Sequence, residues 1–332
     1  MSEVPWYDDP AELGRRIERL RQHEASAAAD SIRLIGPVGV RHYSRLFRGS
    51  GNADFSALAV KVVLGLDGQP DPRAAQRQFS ALERVHTAMG AGGRLGVPRP
   101  CFVLPELGVV ACEWIDGPPM TAAILSWRTG KRAATELATL AGQWLRAFHR
   151  AGRRPACKLQ PAEKIKGWLA PAEGQFVPDA DFKDMLKVLQ DSAEFVGGVD
   201  LPASWLHGDF KVDNLMLPKD RVIGIDIQLA HDGASIHDLA SFLNHLELAA
   251  CHPRAWRQAS HAPALRHALL AGYGETLDGP TSAALAWLRL HGLLAVWEEF
   301  TAHPGSLLRR MHGNSCFQRL RARLTRELQG AM

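Results

Sequence analysis

Residues 206–215, LHGDFKVDNL, place a histidine, two aspartates, a lysine and an asparagine between two apolar runs, LPASWL before and LML after. Asp209 stands two residues after His207, Lys211 two after that, and Asn214 five after the aspartate. A loop with this H-x-D-x-x-x-x-N spacing suits phosphoryl transfer. The aspartate orients an attacking hydroxyl and accepts its proton, and the asparagine carbonyl binds Mg²⁺. A metal-bound phosphate needs more than one oxygen ligand. Twelve residues past Asn214, at the end of the apolar run RVIGID, Asp226 offers a carboxylate to the same ion. Upstream, Lys61 in LAVKVV lies mid-strand among apolar neighbours, an expensive place for a cation unless its amine has an anionic target. A nucleotide phosphate would serve.

Each of these residues has a plainer use when taken alone. His207 reads as a hydrogen-bonded structural histidine, and it keeps that role even beside a catalytic aspartate. Asp209 and Asn214 could cap turns, and Lys61 could snorkel from a strand edge. What points to one site is their order: strand lysine, polar loop, strand-end carboxylate.

Such a loop needs a scaffold, and the composition bounds it. The chain has 332 residues, beyond the roughly 250–300 at which a single core stops growing, so two domains are expected. Hydrophobic residues make up 46% and charged ones 22%, the balance of a globular enzyme, and no apolar run approaches the ~18 residues of a membrane span. The start MSEVPWYDDP lacks a basic region followed by an apolar one, so the cytoplasm is expected. Five scattered cysteines (Cys101, Cys112, Cys157, Cys251, Cys316) without a C-x-x-C argue against disulfides and structural zinc, and read as reduced, mostly buried thiols. A net charge of +4 is too small to imply nucleic acid as a partner.

The elements that would position the loop are legible from pattern. Asp9 before Pro10 caps a helix carrying Leu13, Ile17 and Leu20 on one stripe. Strand-like runs follow: SIRLIG, HYSRLF and ALAVKVVLG, the last bounded by LDGQPD. Asp71 and Pro72 then open a helix to about Met89, and CFVL and GVVACEWI supply two more strands. From Met120 onward helical patterns dominate, as in ATELATLAGQWLRAFH, ASIHDLASFLNHLELA and TSAALAWLRLHGLLAVWEEF, except across residues 203–228, where β-like pieces flank the polar loop. The expected division is a helical extension over 1–30, a nucleotide-binding lobe over 31–116 and a larger lobe over 117–332.

Together these residues resemble the aminoglycoside phosphotransferase and choline kinase-like branch of the protein-kinase-like superfamily. Gly208 follows the histidine as in that branch, VVACEWIDG is similar to its interlobe hinge, LAGQWLRAFH to its helix ending in histidine, and DGASIHDLASFL to the helix after its metal aspartate. The resemblance implies an α+β, bilobal protein-kinase-like fold, with a small β-rich N-lobe carrying one main helix and a larger, mostly helical C-lobe. ATP and Mg²⁺ are the implied cofactors and a small-molecule hydroxyl the implied acceptor. By position, Asp209 is the catalytic base, Asn214 and Asp226 are the Mg²⁺ ligands, and Lys61 holds the α and β phosphates. Lys211 matches the lysine that reaches the γ phosphate, backbone groups around Glu113 and Ile115 hold the adenine, and Asp238 is a structural aspartate beneath the loop.

Three departures shape the expectations. The nucleotide lobe offers only GPVGVRHYS, with Gly36 and Gly39, so phosphate cover comes from a less glycine-rich turn. The helix residue facing Lys61 is Gln78, which falls among the inward stripe Ala75, Leu82, Val85 and Met89, whereas Glu83 lies off it. GIDIQLA replaces D-F-G, and no activation segment follows, which argues against a protein substrate. For the acceptor, Arg309, Arg310, Arg319, Arg321, Arg323 and Arg326 favour a neutral or anionic compound, a sugar or glycan intermediate. Glu298, Glu299, Trp287 and Trp297 argue instead for an aminoglycoside, macrolide, choline or ethanolamine-type acceptor. A nucleotide-binding pseudokinase without turnover is the rival class.

Overall fold

Two of the cap signals read from the sequence sit at helix starts. In the computed structural model the Asp9 carboxylate accepts the Ala11 and Glu12 N–H groups at 2.8 and 3.3 Å, opening α1 (Pro10–Glu24). Asp71 accepts the Ala74 N–H at 2.9 Å and opens α2 (Pro72–Met89), with Pro72 in its first turn. The structure describes all residues except 1–4, 25–31, 53–54, 91, 125, 127, 170–178, 229–230, 251–260, 275–276 and 303–306. Chain contacts divide it into two units, Met1–Gly117 with Pro218–Gln228, and Pro118–Leu217 with Leu229–Met332.

The first unit is built on an antiparallel sheet of β1 (Leu34–Arg41), β2 (Ser44–Asn52), β3 (Phe55–Val63), β5 (Pro100–Leu104) and β6 (Val109–Glu113), in the order β1-β2-β3-β6-β5. Alternation along β3 sends Leu58, Val60 and Val62 into a core with Phe47, Ala111 and the α1 residues Leu13 and Ile17. The opposite face brings Val63 and Val110 against Ala75 and Phe79 of α2. By the same period of two, Lys61 belongs to the α2 face. A short pair, β4 (Leu95–Gly96) with the parallel strand β10 (Val222–Gly224), fixes the segment 218–228 in this unit.

The second unit is mostly helical. It contains α3 (Met120–Ile124), α4 (Lys131–Ala151), α5 (Pro161–Leu169), α6 (Ala180–Asp191), α7 (Ala193–Gly197), α8 (Ile236–Ala250), α9 (Ala262–Tyr273), α10 (Gly279–Ala302) and α11 (Leu307–Gln329). A small antiparallel sheet of β7 (Arg154–Lys158), β8 (Asp200–Trp205) and β11 (Asp232–Ala234), with β8 central, carries the polar loop at the end of β8. Arg289 of α10, only 2% exposed, donates to Asn244 at 3.0 Å and pairs with Glu247, both on α8, and Glu247 also pairs with Arg323 of α11. The charge buried on α10 is thereby answered from α8. Among described residues no helix is long and apolar enough to cross a membrane. Cys101, Cys112 and Cys157 are half-buried free thiols and only Cys316 is buried, so the expected mostly buried set is corrected; Cys251 lies outside the described residues.

Helices α4 and α9 cross through facing glycines. A Cβ on Gly142 would overlap the Leu269 carbonyl oxygen, and one on Gly272 the Thr139 carbonyl oxygen. Neither backbone can yield cheaply. Gly142→Ala will therefore destabilise the protein by about 1–3 kcal/mol, the usual cost of overpacking. Gly167, inside α5 with nothing near its Cβ direction, supplies the contrast: Gly167→Ala will stabilise by about 0.5–1 kcal/mol, because glycine costs that much in a helix. Urea unfolding of the two variants reads the difference, and equal responses would show that the α4–α9 crossing can open freely.

Candidate active site

The polar loop leaves β8 with alternating inward and outward residues. Leu206, His207, Phe210, Val212 and Asn214 are buried, while Gly208, Asp209, Lys211 and Asp213 are not. Gly208 has φ 88°, a left-handed conformation in which glycine carries no Cβ penalty, and it lies between the inward His207 and the outward Asp209. A 3₁₀ turn, Val212–Asn214, closes the loop through Asn214 N–H to Lys211 O at 3.0 Å. These placements set up the chemistry. Lys211 Nζ donates to Asp209 Oδ2 at 2.5 Å, and Asn214 Nδ2 donates to Asp209 O at 2.8 Å and to Oδ2 at 3.2 Å. Asp209 Oδ2 is thus committed within the loop, which leaves Oδ1 as the oxygen for an incoming hydroxyl. Asn214 spends its amide hydrogens on Asp209, which leaves its carbonyl oxygen as the end fit for a cation. Asp213, two residues from Lys211, accepts from Thr121 Oγ1 at 2.6 Å.

His207 and Asp238 meet beneath the loop. The His207 ring lies among Trp144, Phe148 and Phe210, with centroids 6.0, 6.0 and 5.5 Å away. Its backbone N–H donates to Asp238 Oδ2 at 2.8 Å, and the same oxygen meets His149 Nε2 at 3.0 Å. His149 Nδ1 lies 2.8 Å from the Tyr273 hydroxyl. Burial raises the Asp238 carboxyl, yet the His149 hydrogen bond, the nearby imidazoles and the His207 N–H outweigh it and hold the group below its ordinary range. A buried anion, held by two bonds, anchors the backbone two residues ahead of Asp209. His149 is the histidine that ends LAGQWLRAFH in the sequence, whereas Tyr273 was not singled out there; it reaches His149 across the close α4–α9 crossing at Gly142 and Gly272.

In the first unit, Lys61 Nζ donates to Asp226 Oδ1 at 2.6 Å, with the two side chains 25% and 36% exposed. Asp226 follows β10 with φ 59°, a left-handed conformation that aspartate tolerates better than most residues, between the half-buried Ile225 and the buried Ile227. The expected partner of Lys61 is corrected here. Gln78 is half-buried on α2 and Glu83 exposed, and neither receives the amine, because a carboxylate within reach is a stronger partner for an ammonium than a neutral carboxamide. Of the stripe read around Gln78, Ala75, Leu82 and Val85 are buried and Met89 is half-buried. Glu113 ends β6, with its N–H on Arg99 O at 2.9 Å and its carboxylate accepting the Arg99 N–H at 3.2 Å; Trp114 N–H returns to Ala57 O, and Ile115 follows half-buried. Gly36 and Gly39 both lie within β1, ahead of the His42–Tyr43 turn rather than in it. Gly36 has φ 131° and no room for a Cβ against Val38 N, whereas Gly39 has only an ordinary contact with Leu46.

The acceptor signals read from the C-terminal sequence do not survive as stated. Trp287 is buried, donates to Leu189 O at 3.0 Å and stacks on His291, and Trp297 donates to Asp179 and packs on Phe317. Both are core residues, because each indole N–H has an internal acceptor. Arg321 pairs with Asp181 and Asp184, and Arg323 with Glu247 and Glu327, so these two of the six arginines are answered by carboxylates of α6, α8 and α11. The Glu299, Arg309 and Arg310 side chains lie outside the described residues.

Residues 68–291, more than half of the chain, match the model of the phosphotransferase enzyme family. No curated protein matches significantly. Among solved structures, a choline/ethanolamine kinase family protein from Mesorhizobium loti aligns with a TM-score of 0.59 at 16% identity, over 95% of this chain and 98% of that one. Glucosamine kinase in complex with glucosamine, ADP and inorganic phosphate aligns with a TM-score of 0.61 at 17% identity, over 97% and 88%. Aminoglycoside-3'-phosphotransferase of type VIII aligns with a TM-score of 0.51 at 17% identity, over 88% and 100%. At these identities the likenesses establish a protein-kinase-like fold, and the family match adds the chemistry: the chain belongs to the phosphotransferase enzyme family and is an ATP-dependent small-molecule kinase.

Proposed function

We propose that this kinase moves the γ-phosphate of ATP, in the presence of Mg²⁺, to a hydroxyl of a small molecule, a sugar or glycan intermediate. The observation that carries this reading is the Asp209 carboxylate, held through one oxygen by Lys211 and Asn214 so that the other is left for a hydroxyl proton. In this reading Asp209 orients the acceptor and takes its proton, and Lys211 stands beside it to meet the γ phosphate. Asn214, through its carbonyl, and Asp226, through its carboxylate, are the metal ligands, and Lys61 exchanges Asp226 for the α and β phosphates. Backbone groups at Glu113 and Ile115 take the adenine, Gly36 and Gly39 bring β1 close to the phosphates, and Gln78 is a neutral residue on α2, the helix packed on the Lys61 face of the sheet. His207 and Asp238 hold the loop. Bound Mg²⁺-ATP supplies the electrophilic phosphorus and a neutralised leaving group. The compartment proposed is the cytoplasm, where ATP is available and free thiols stay reduced.

ADP release with Mg²⁺-ATP and a panel of neutral and acidic sugars, aminoglycosides, macrolides and amino alcohols tests the reading. At least one sugar is expected to be turned over with kcat/KM above about 10⁴ M⁻¹s⁻¹, the low end for a true substrate. Nucleotide binding without ADP release from any acceptor would instead identify the pseudokinase, for which the strand position of the glycines and the absence of a glutamate partner on α2 speak. Turnover confined to aminoglycosides or amino alcohols would replace the sugar assignment.

A further inference from the structure

Along one face of α8, His237, Ser241, Asn244 and Leu248 follow one another at helical spacing. With Lys164 of α5 and His291 of α10 they line a cavity of about 240 Å³, wholly inside the second unit. That volume is below the roughly 300 Å³ at which drug-sized sites begin. It suits a small ligand rather than a multi-ring antibiotic. One lining residue, His237, stands next in the chain to Asp238, whose carboxylate holds the backbone two residues ahead of Asp209, so the cavity and the loop share helix α8.

The lining is one-sided in charge. None of the described residues around the cavity is a carboxylate. The acidic residues that α8 does carry are committed elsewhere, Asp238 to His149 and the His207 N–H, and Glu247 to Arg289 and Arg323. Asn244 is also spent, since its two amide ends bond Arg289. The Lys164 ammonium, in contrast, has no hydrogen bond or ion pair with any described residue, and burial pushes its pKa down. His237 likewise has no hydrogen-bond partner among described residues; burial first, and then the Lys164 charge, drive it down to about 3 against the pull of Asp238, so its imidazole is neutral. Burial lowers His291 too, while its bond to Lys164 O, at 3.1 Å, acts the other way.

A cationic ligand would meet Lys164 with no carboxylate to pair with. An anionic one would give the lysine its missing partner and could take an N–H from His237. A metal does not fit, because among described residues no three His, Cys, Asp or Glu side chains are grouped to hold one. We infer that this cavity holds an anionic group of the acceptor, a carboxylate or a phosphate, against Lys164, so that the enzyme phosphorylates an acidic or already phosphorylated hydroxyl compound. This rests on the phosphotransfer reading above and narrows its substrate class.

Titration calorimetry on the full chain without nucleotide separates the two claims. The probes are glucose, glucosamine, glucuronate, glucose 6-phosphate and inorganic phosphate, applied to the wild type, Lys164→Gln and Lys164→Arg. At least one anionic probe is expected to bind at least about tenfold tighter than glucose and glucosamine. Lys164→Gln is expected to weaken it by roughly ten- to a hundredfold, the value of a charge-assisted bond, and Lys164→Arg to retain most of the affinity. Glucuronate against glucose 6-phosphate tells carboxylate from phosphate. In turnover the glutamine variant will raise KM for the acidic acceptor and leave kcat nearly unchanged. Because the Lys164 ammonium has no hydrogen bond or ion pair with any described residue, both variants are expected to melt like the wild type. Absence of binding by every anionic probe, preference for glucosamine, or equal affinity in Lys164→Gln at wild-type melting temperature overturns the inference. Anion binding through Lys164 with no ADP released from any acceptor leaves the cavity assignment standing and overturns phosphotransfer alone.

Discussion

Asp209→Asn will bind Mg²⁺-ATP as the wild type does and turn it over about 10²–10⁴ times more slowly, the usual loss when a positioned base is removed. Asparagine fills the same space and still offers an oxygen to Lys211 Nζ, and the Asn214 amide keeps its bond to the residue 209 backbone carbonyl, so the loop will hold its shape. What disappears is the carboxylate that accepts the hydroxyl proton. A neutral amide cannot take it at any pH, so raising the pH will not rescue the variant. Asp213→Asn is the control on the same loop: its carboxylate bonds Thr121 and has no part in the proposed chemistry. Single-turnover kinetics on both variants, beside nucleotide titrations, decide the matter. Near-normal turnover in Asp209→Asn, or a comparable loss in Asp213→Asn, removes Asp209 from the role of base.

Those features that depend on spacing within one element were legible in the sequence. The five-residue step from Asp209 to Asn214 sets a loop whose own bonds join the two, and no distant segment is needed to predict it. The apolar run LAVKVV put Lys61 within a strand, β3, and the 3.6-residue period of α2 placed Ala75, Leu82 and Val85 inside. Partners set by tertiary contact were not legible. Lys61 finds Asp226 across 165 positions, and His149 bonds Asp238 across 89 and Tyr273 across 124. A local pattern names the faces of an element but not which carboxylate a face will meet, and so Gln78 was matched to Lys61 on its own stripe while the stronger partner arrived from elsewhere. Two of the C-terminal arginines show the same limit: the charges of Arg321 and Arg323 are visible in the sequence, but the α6 and α8 carboxylates that pair with them are not. The cavity at Lys164 escaped altogether, since no motif links residue 164 to one face of α8.

Asp226→Asn will behave differently from Asp209→Asn, because its loss falls on binding as well as rate. The proposed ligand loses its charge, and Mg²⁺ prefers anionic oxygen, so the Mg²⁺-dependent part of nucleotide affinity will drop. A metal contributes several kcal/mol of charge stabilisation in such transfers, so a weakened site is expected to cost about 10²–10³ in kcat/KM. Folding is spared. Asparagine tolerates the left-handed backbone at this position as aspartate does, whereas alanine would add strain at φ 59°, which makes the amide the cleaner test. The ion pair with Lys61 is also lost, but at 25% and 36% side-chain exposure it contributes no more than about 1 kcal/mol. Stability and metal affinity therefore part company: the melting temperature stays close to the wild type while Mg²⁺ titration of ATP binding moves to higher concentration. Two results would refute the assignment. Unchanged Mg²⁺ dependence would show that Asp226 serves only as a counter-ion for Lys61, and a large fall in stability would show that the pair holds the fold rather than the nucleotide.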